Sequence, residues 1–153
     1  MKRKTSKQKT PKVEASDAMR RYVRLRDALA YCDKYSIDTS QFTRPEDLIG
    51  QCCTCGVVKS WIRMDAGHWI GRGIGGGSGV YFDERNVNLQ CKLDNMTGGK
   101  PQEHEDYIRE KHGQEVIDEL RRKHVLPLDM SDLAMKSIKI FYDDGYRELL
   151  KRI

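Results

Sequence analysis

Three cysteines packed into four positions, Cys52, Cys53 and Cys55, with Cys91 further along, constrain this chain more than any other feature. A Cys-x-x-Cys turn answered by a distant cysteine has the spacing of a zinc knuckle, in which thiolates hold the ion and tie two segments together. The chain has 153 residues, 38% of them hydrophobic and 33% charged. One modest domain with a small core is expected, and a metal staple adds stability to such a core. No apolar run approaches the roughly 18 residues of a membrane span, and no signal-peptide pattern opens the sequence. These features favour a cytoplasmic protein without membrane association, whose reduced thiols bind metal rather than pair as disulfides.

The segment from Met1 to Tyr31 holds ten Lys and Arg against Glu14, Asp17 and Asp27, so it carries +7 where the whole chain carries +5. The remaining body is near neutral. A basic arm on such a body suits an acidic polymer, nucleic acid first, the alternative being a solvated tail that aids solubility.

Periodicity and turn signals divide the chain into four. Residues 1–16, Lys-rich and broken by Pro11, read as a disordered basic arm. Residues 17–50 read as a basic helix, capped by Asp17 and running to about Lys34, followed by a connector; Arg20, Arg21, Arg24 and Arg26 lie largely off its apolar stripe. Residues 51–100 read as the cysteine turn, a strand over 60–70, a glycine-rich loop over 71–79, a second strand over 80–82, and a helix that starts near 86–88 and ends at Gly98 and Gly99. Trp61 and Trp69 are predicted to share one face of the first strand. The glycine loop lacks the Gly-Lys-Ser/Thr ending of a P-loop and reads as a hairpin tip. Residues 101–153 read as helices over 102–112 and 114–124, then a last helix capped by Ser131. In it Ala134, Ile138, Phe141, Tyr142 and Leu149 face inward and Gly145 is a weak point. His104, His112 and His124 fall on polar helices and read as exposed or capping residues.

The constellation Asp65-Ala66-Gly67-His68, then Asn86, then Cys91-Lys92-Leu93-Asp94-Asn95 resembles the HNH nuclease superfamily in its Asn-ended (HNN) variant. The segments QCCTCG, MDAGHWI, FDERNVNLQC and DN…GG, followed by HGQEVIDEL, are similar to the NinG/Rap family of lambdoid phage recombination endonucleases. The resemblance implies an α+β fold: a small ββα-metal (HNH, His-Me finger) core with zinc-knuckle-like cysteines, flanked by N- and C-terminal helices. It also implies an enzyme that cleaves branched DNA, such as Holliday junctions and D-loops, in the cytoplasm of an infected bacterial host.

Carried over by position, the resemblance makes His68 the general base, Asn86 the residue that pins the catalytic loop, and Asn95 a ligand or orienter of a catalytic Mg²⁺ or Mn²⁺. Gly67 stands where many HNH sequences carry a metal ligand, which leaves Asp65 as the nearest acidic substitute. The family pattern ends Cys-x-x-Cys where this chain has Asp94. A structural Zn²⁺ would then take Cys52, Cys55, Cys91 and Asp94, with Cys53 as a spare thiolate. Arg63, Arg72, Arg85, Lys92 and Lys100 join Arg20, Arg21 and Arg24 as candidate phosphate contacts.

The chemistry agrees with these residue types. Phosphodiester hydrolysis needs a deprotonated water and stabilisation of charge on phosphate and on the leaving 3′ oxygen. An ordinary histidine, with a pKa of about 6.5, suits the first task, and a hard cation on oxygen ligands suits the others. A homodimer would suit paired cuts at a junction, and phage recombination proteins are further expected partners. Two rival readings stay open: a zinc-braced DNA-binding module without catalysis, and an HNH nuclease that reads a sequence.

Overall fold

Thr10 opens the first helix. In the computed structural model, which describes residues 8–71 and 77–153, its hydroxyl accepts from the Val13 backbone N–H at 3.4 Å and Pro11 takes the first helical position. Proline is favoured there because its missing N–H would have no helical partner. Helix α1 therefore spans Pro11–Lys34, starting earlier than the cap expected at Asp17. Ala15 and Ser16 are already buried, so residues 11–16 belong to the helix rather than to a disordered arm; residues 1–7 lie outside the described residues.

The stripe that α1 buries, including Met19, Val23, Leu25 and Leu29, packs along the last helix, α5 (Asp132–Leu150), which Ser131 caps by accepting from Ala134 N–H at 3.2 Å. Each such large side chain contributes about 1.5–3 kcal/mol on full burial. Gly145 is a contact point, because a Cβ there would come within 2.9 Å of the Tyr22 ring. Tyr142 turns inward to pack, tilted, against Tyr22, at 5.4 Å between ring centroids, and donates to the Phe82 carbonyl. Phe141, expected inward beside it, is 63% exposed; Met135, not anticipated, is buried in its place.

Four short strands form two antiparallel pairs. Strands β1 (Ile49–Gln51) and β2 (Val58–Ser60) flank the cysteine turn, with Gly50 opposite Lys59. Strands β3 (Met64–His68) and β4 (Val87–Cys91) pair with His68 opposite Val87 and Met64 opposite Cys91, and the short helix α2 (Lys92–Met96) follows directly. The partner of β3 is thus Val87–Cys91 and not the expected 80–82, which forms a turn whose Val80, Tyr81 and Phe82 pack into the core. The sequence Val-Asn-Leu-Gln-Cys alternates at the strand period, and a helix beginning at 86–88 would have mixed its apolar and polar faces. Trp61 lies in a 3-10 turn before β3 and Trp69 beyond its end, so they pack in different clusters and share no strand face.

Helices α3 (Pro101–His112) and α4 (Gln114–Lys123) meet at Gly113, whose φ of 89° is a left-handed conformation that glycine adopts without strain. Ile108, Ile117 and Leu120 close over Val80. The architecture is α+β: both small antiparallel sheets lie against α1, which α5 flanks, and α3 reaches the β3–β4 hairpin through the Asn88–His104 contact. Among the described residues no helix is long and apolar enough to cross a membrane.

Candidate active site and metal centre

His68 ends β3 and lies in the wall of a cleft of 580 Å³, together with Asp65, Asn95 and three arginines of α1, Arg20, Arg21 and Arg24. Its Nε2 lies 3.0 Å from the Tyr81 carbonyl oxygen and its ring stacks on Tyr81 at 4.4 Å. A carbonyl only accepts, so Nε2 carries the proton in the neutral ring and Nδ1 holds the basic lone pair.

Asn86 fixes the frame around this histidine. Fully buried, it accepts from Ile70 N–H at 2.8 Å and donates to the carbonyls of Ile70 at 2.9 Å and Val80 at 3.1 Å. One amide thereby clamps both ends of the segment that joins β3 to the Tyr81 turn.

Asp65 accepts from Lys92 Nζ at 2.9 Å and from Asn95 Nδ2 at 3.0 Å. Burial pushes its carboxyl up, but the hydrogen bonds from Lys92 and Asn95 and the charges of Lys92 and Arg24 outweigh it and hold it below the usual range. The group is ionised at neutral pH. Because Asn95 uses its nitrogen in that bond, its Oδ1 and the Asp65 carboxylate are the oxygen atoms here that could serve a hard cation such as Mg²⁺ or Mn²⁺. A side chain at Gly67 would have to displace the Gln90 side chain, since a Cβ there would lie 2.1 Å from Gln90 Oε1.

The candidate phosphate contacts separate by position. Arg20 and Arg21 face the cleft while weakly tied to Asp17 (3.6 Å) and Asp143 (3.0 Å), and Arg24 lies over Trp61 and donates to the Met64 carbonyl. Lys92 is exposed beside Asp65, and Arg63 and Lys100 are exposed. Arg85 is not among the residues lining the cleft; Asp83 and Glu119 hold its guanidinium at 2.7 and 2.8 Å. Arg72 lies outside the described residues. Arg26, expected off the buried stripe, instead reaches inward to the carbonyls of Glu84 and Val87, both at 2.9 Å.

At the other end of the β3–β4 hairpin, ligand atoms of Cys52, Cys55, Cys91 and Asp94 lie within 4.8 Å of one another and could hold a metal such as zinc. Burial raises the Cys52 thiol, but hydrogen bonds from the Cys55 N–H, the Thr54 hydroxyl and the Cys91 N–H bring it down to about 7. That favours the thiolate a metal requires. Thr54 Oγ1 donates to Asp94 Oδ2 at 2.7 Å, which orients the carboxylate in the place of the missing cysteine. Cys53 does not join the cluster. Buried, with its N–H on the Leu89 carbonyl, its thiol is pushed well above the ordinary range by burial and by the charge of Cys52.

The family model of the bacteriophage lambda NinG protein matches residues 1–152. The chain belongs to the NinG family. No curated protein and no solved structure matches it.

Sequence reasoning missed the polar groups behind the hairpin of this NinG-family chain. His104 is fully buried rather than exposed, its Nε2 3.1 Å from Asn88 Nδ2. Asn88 Oδ1 accepts from Arg26, so its nitrogen donates to His104. Asp27, also buried, accepts from Leu89 N–H at 2.8 Å, Arg26 at 2.8 Å and Lys111 at 3.2 Å. The one available signal was Arg26-Asp27 itself, adjacent opposite charges at the edge of an apolar stripe.

Proposed function

We propose that this NinG-family protein is a divalent-metal-dependent DNA endonuclease of the HNH (HNN) type that acts on branched recombination intermediates. The observation that carries the reading is the meeting, in one cleft, of a histidine with a defined tautomer, an Asp–Asn oxygen pair and three arginines. His68 Nδ1 takes a proton from water as its oxygen bonds to phosphorus, the bond from phosphorus to the 3′ oxygen breaks, and that oxygen leaves with a proton from solvent. Tyr81 and Asn86 keep the imidazole in place, and Arg20, Arg21 and Arg24 bind phosphate oxygens. Asp65 and Asn95 would hold Mg²⁺ or Mn²⁺, which supplies charge stabilisation at the phosphate and the leaving oxygen.

Arginines on one helix bind phosphates without reading bases, which suits selection of DNA by shape rather than sequence. Cleavage of a four-way junction, linear duplex and single strand compared with Mg²⁺ or Mn²⁺ tests the proposal. Metal-dependent cutting that favours the junction and disappears in His68→Ala is the expected result. Binding without cutting would mark a DNA-binding module, and one cut at a fixed duplex sequence would mark a sequence-reading nuclease.

The cysteine cluster, in this reading, holds a structural Zn²⁺. Metal analysis should find about one zinc per chain, strong chelator should unfold the hairpin, and Asp94→Cys should retain the ion. A chain that is metal-free as purified and remains folded in chelator refutes it.

A further inference from the structure

Helix α2 is fixed in rotation by its one buried residue. Asp94 turns into the cysteine cluster, where Thr54 holds it, and at 100° per residue this forces Lys92, Leu93, Asn95 and Met96 outward. Leu93 is 71% and Met96 80% exposed, and they stand three residues apart on one side of the helix. Two large apolar side chains on a five-residue helix are costly to leave in water, and α2 packs chiefly on β3 and β4. The helix and the turn after it bear cations: Lys92, which pairs with Asp65 at 2.9 Å, and Lys100 flank them in exposed positions, and the only acid between residues 92 and 100 is the buried Asp94. The same helix carries Asn95 into the cleft through its bond to Asp65.

An apolar pair rimmed by cations and continuous with a phosphate-binding cleft matches one kind of surface: nucleobases whose faces are uncovered, between two runs of phosphate. Apolar side chains used this way enter a base step, unstack it and kink the duplex. We infer that Leu93 and Met96 form a wedge that enters the branch point of a DNA junction beside the scissile phosphate, with Lys92 and Lys100 on the flanking phosphates. The inference rests on the nuclease reading and adds the means by which a branch is distinguished from paired duplex. A continuous duplex resists the wedge because its bases are stacked, whereas bases at a branch have already lost a stacking neighbour.

The experiment uses the full chain with His68→Ala, so that DNA is bound and not cut, and a four-way junction carrying 2-aminopurine next to the branch. The fluorescence of that base rises when it is unstacked. Saturating protein should raise the signal on the junction and leave an internal position of a linear duplex unchanged. Adding Leu93→Ser and Met96→Ser should abolish the rise and weaken junction binding by about tenfold or more. Zinc content and circular dichroism verify that α2 still folds, and the conservative pair Leu93→Met, Met96→Leu should preserve the rise. Junction binding with no rise, or a rise that survives the serine pair, overturns the wedge and leaves the nuclease reading intact. Absence of binding to any DNA overturns both, whereas cutting by His68→Ala removes the base assignment alone.

Discussion

His68 and His104 lie on opposite faces of the same hairpin and show how little residue type decides. Across β3–β4, His68 pairs with Val87 and Gly67 with Asn88, so the Asn88 that holds His104 points away from the face bearing His68. His68 borders a cleft and keeps Nδ1 as its basic nitrogen. His104 has no exposed surface, its Nε2 accepts from Asn88, and burial with the neighbouring charge of His68, against the opposing pull of Asp27, lowers it to about 4. The carboxylates repeat the contrast. Asp65 meets Lys92 and Asn95 at the cleft, whereas Asp27 meets Arg26, Lys111 and a backbone N–H in the interior. The contrast is one of exposure rather than of sheet face, since the register sets Asp65 opposite Gln90 on the Asn88 face: His68 and Asp65 border the open cleft, whereas on the dry side Asp27 and His104 anchor β4 to α1 and α3.

The sharpest way to break this comparison is at the open cleft. His68→Ala should lower turnover on junction DNA by about 10²–10⁴-fold, the range for loss of a general base, with the thermal midpoint nearly unchanged. His104→Gln, measured at pH 7.5 in the same assay, should retain most of the turnover. A comparable loss in both would show that the dry side takes part in the chemistry.

Next in size is Asp27→Asn, which leaves Arg26 and Lys111 facing a neutral amide in a buried site. Removing one member of such a network costs about 3–5 kcal/mol, measurable by urea unfolding at pH 7. Asp65→Asn should change stability far less, because its partner Lys92 is exposed and exposed pairs contribute little. Equal losses would mean that Asp65, too, is part of the scaffold.

The two buried titrating groups act in separate pH windows. Above pH 6.5 His104 is neutral in both folded and unfolded chains and contributes no pH dependence. As pH falls from about 6.5 to about 4 the unfolded chain takes up the proton and the folded chain does not. Stability drops by about 3 kcal/mol over that interval and no further below it. His112, also lowered by burial and by Lys111, acts in the same direction. Asp27 behaves differently. Burial alone would raise its carboxyl, but Arg26, Lys111 and the Leu89 N–H hold it below its ordinary value, so its contribution persists above that value and is lost only as pH falls through the lowered one. Denaturation curves between pH 7 and pH 4 should therefore flatten in His104→Gln, leaving the His112 part. An unchanged slope would place His104 in contact with water.

Much of the cleft, the cysteine cluster and the helix ends could be read from sequence because their signals are local. The Cys-x-x-Cys turn, Ser131 as a cap, Gly113 as a break between helices, and Asp65, His68 and Asn95 all stand in short stretches; the structure brings the cysteines to one cluster and Asp65, His68 and Asn95 to one cleft. The dry side was hidden because its meaning depends on contacts far apart in the chain. Asn88 and Gln90 make β4 polar at alternate positions although every one of its residues is buried, so its pattern lacks the apolar run of an interior strand. The apolar triplet Val80, Tyr81 and Phe82 carried the strand signal instead, yet it folds as a turn whose backbone carbonyls serve His68, Asn86 and Tyr142. At the N-terminus the cap and proline were present at Thr10 and Pro11, but the surrounding lysines masked Ala15, which is buried in one core cluster with Ala18, Met19 and residues of the Tyr81 turn and α5.

The smallest expected effect tests whether the same division holds for arginines. Salt dependence of DNA binding counts phosphate contacts, since each one neutralised changes the slope of log affinity against log salt by about 0.9 on duplex DNA. Arg20 faces the cleft with only a 3.6 Å pairing to the partly exposed Asp17, so a phosphate can replace that partner at little cost. Arg85 has its guanidinium closed by Asp83 and Glu119 together, and a phosphate would have to displace two carboxylates. Arg20→Ala should therefore reduce the slope by about one contact, and Arg85→Ala should leave the slope unaltered while lowering the unfolding midpoint. The two substitutions remove the same charge, so general electrostatic attraction would change both slopes alike; only placement in the cleft separates them. A slope that falls in Arg85→Ala and not in Arg20→Ala would move the DNA path from the α1 side of the hairpin to the α4 side.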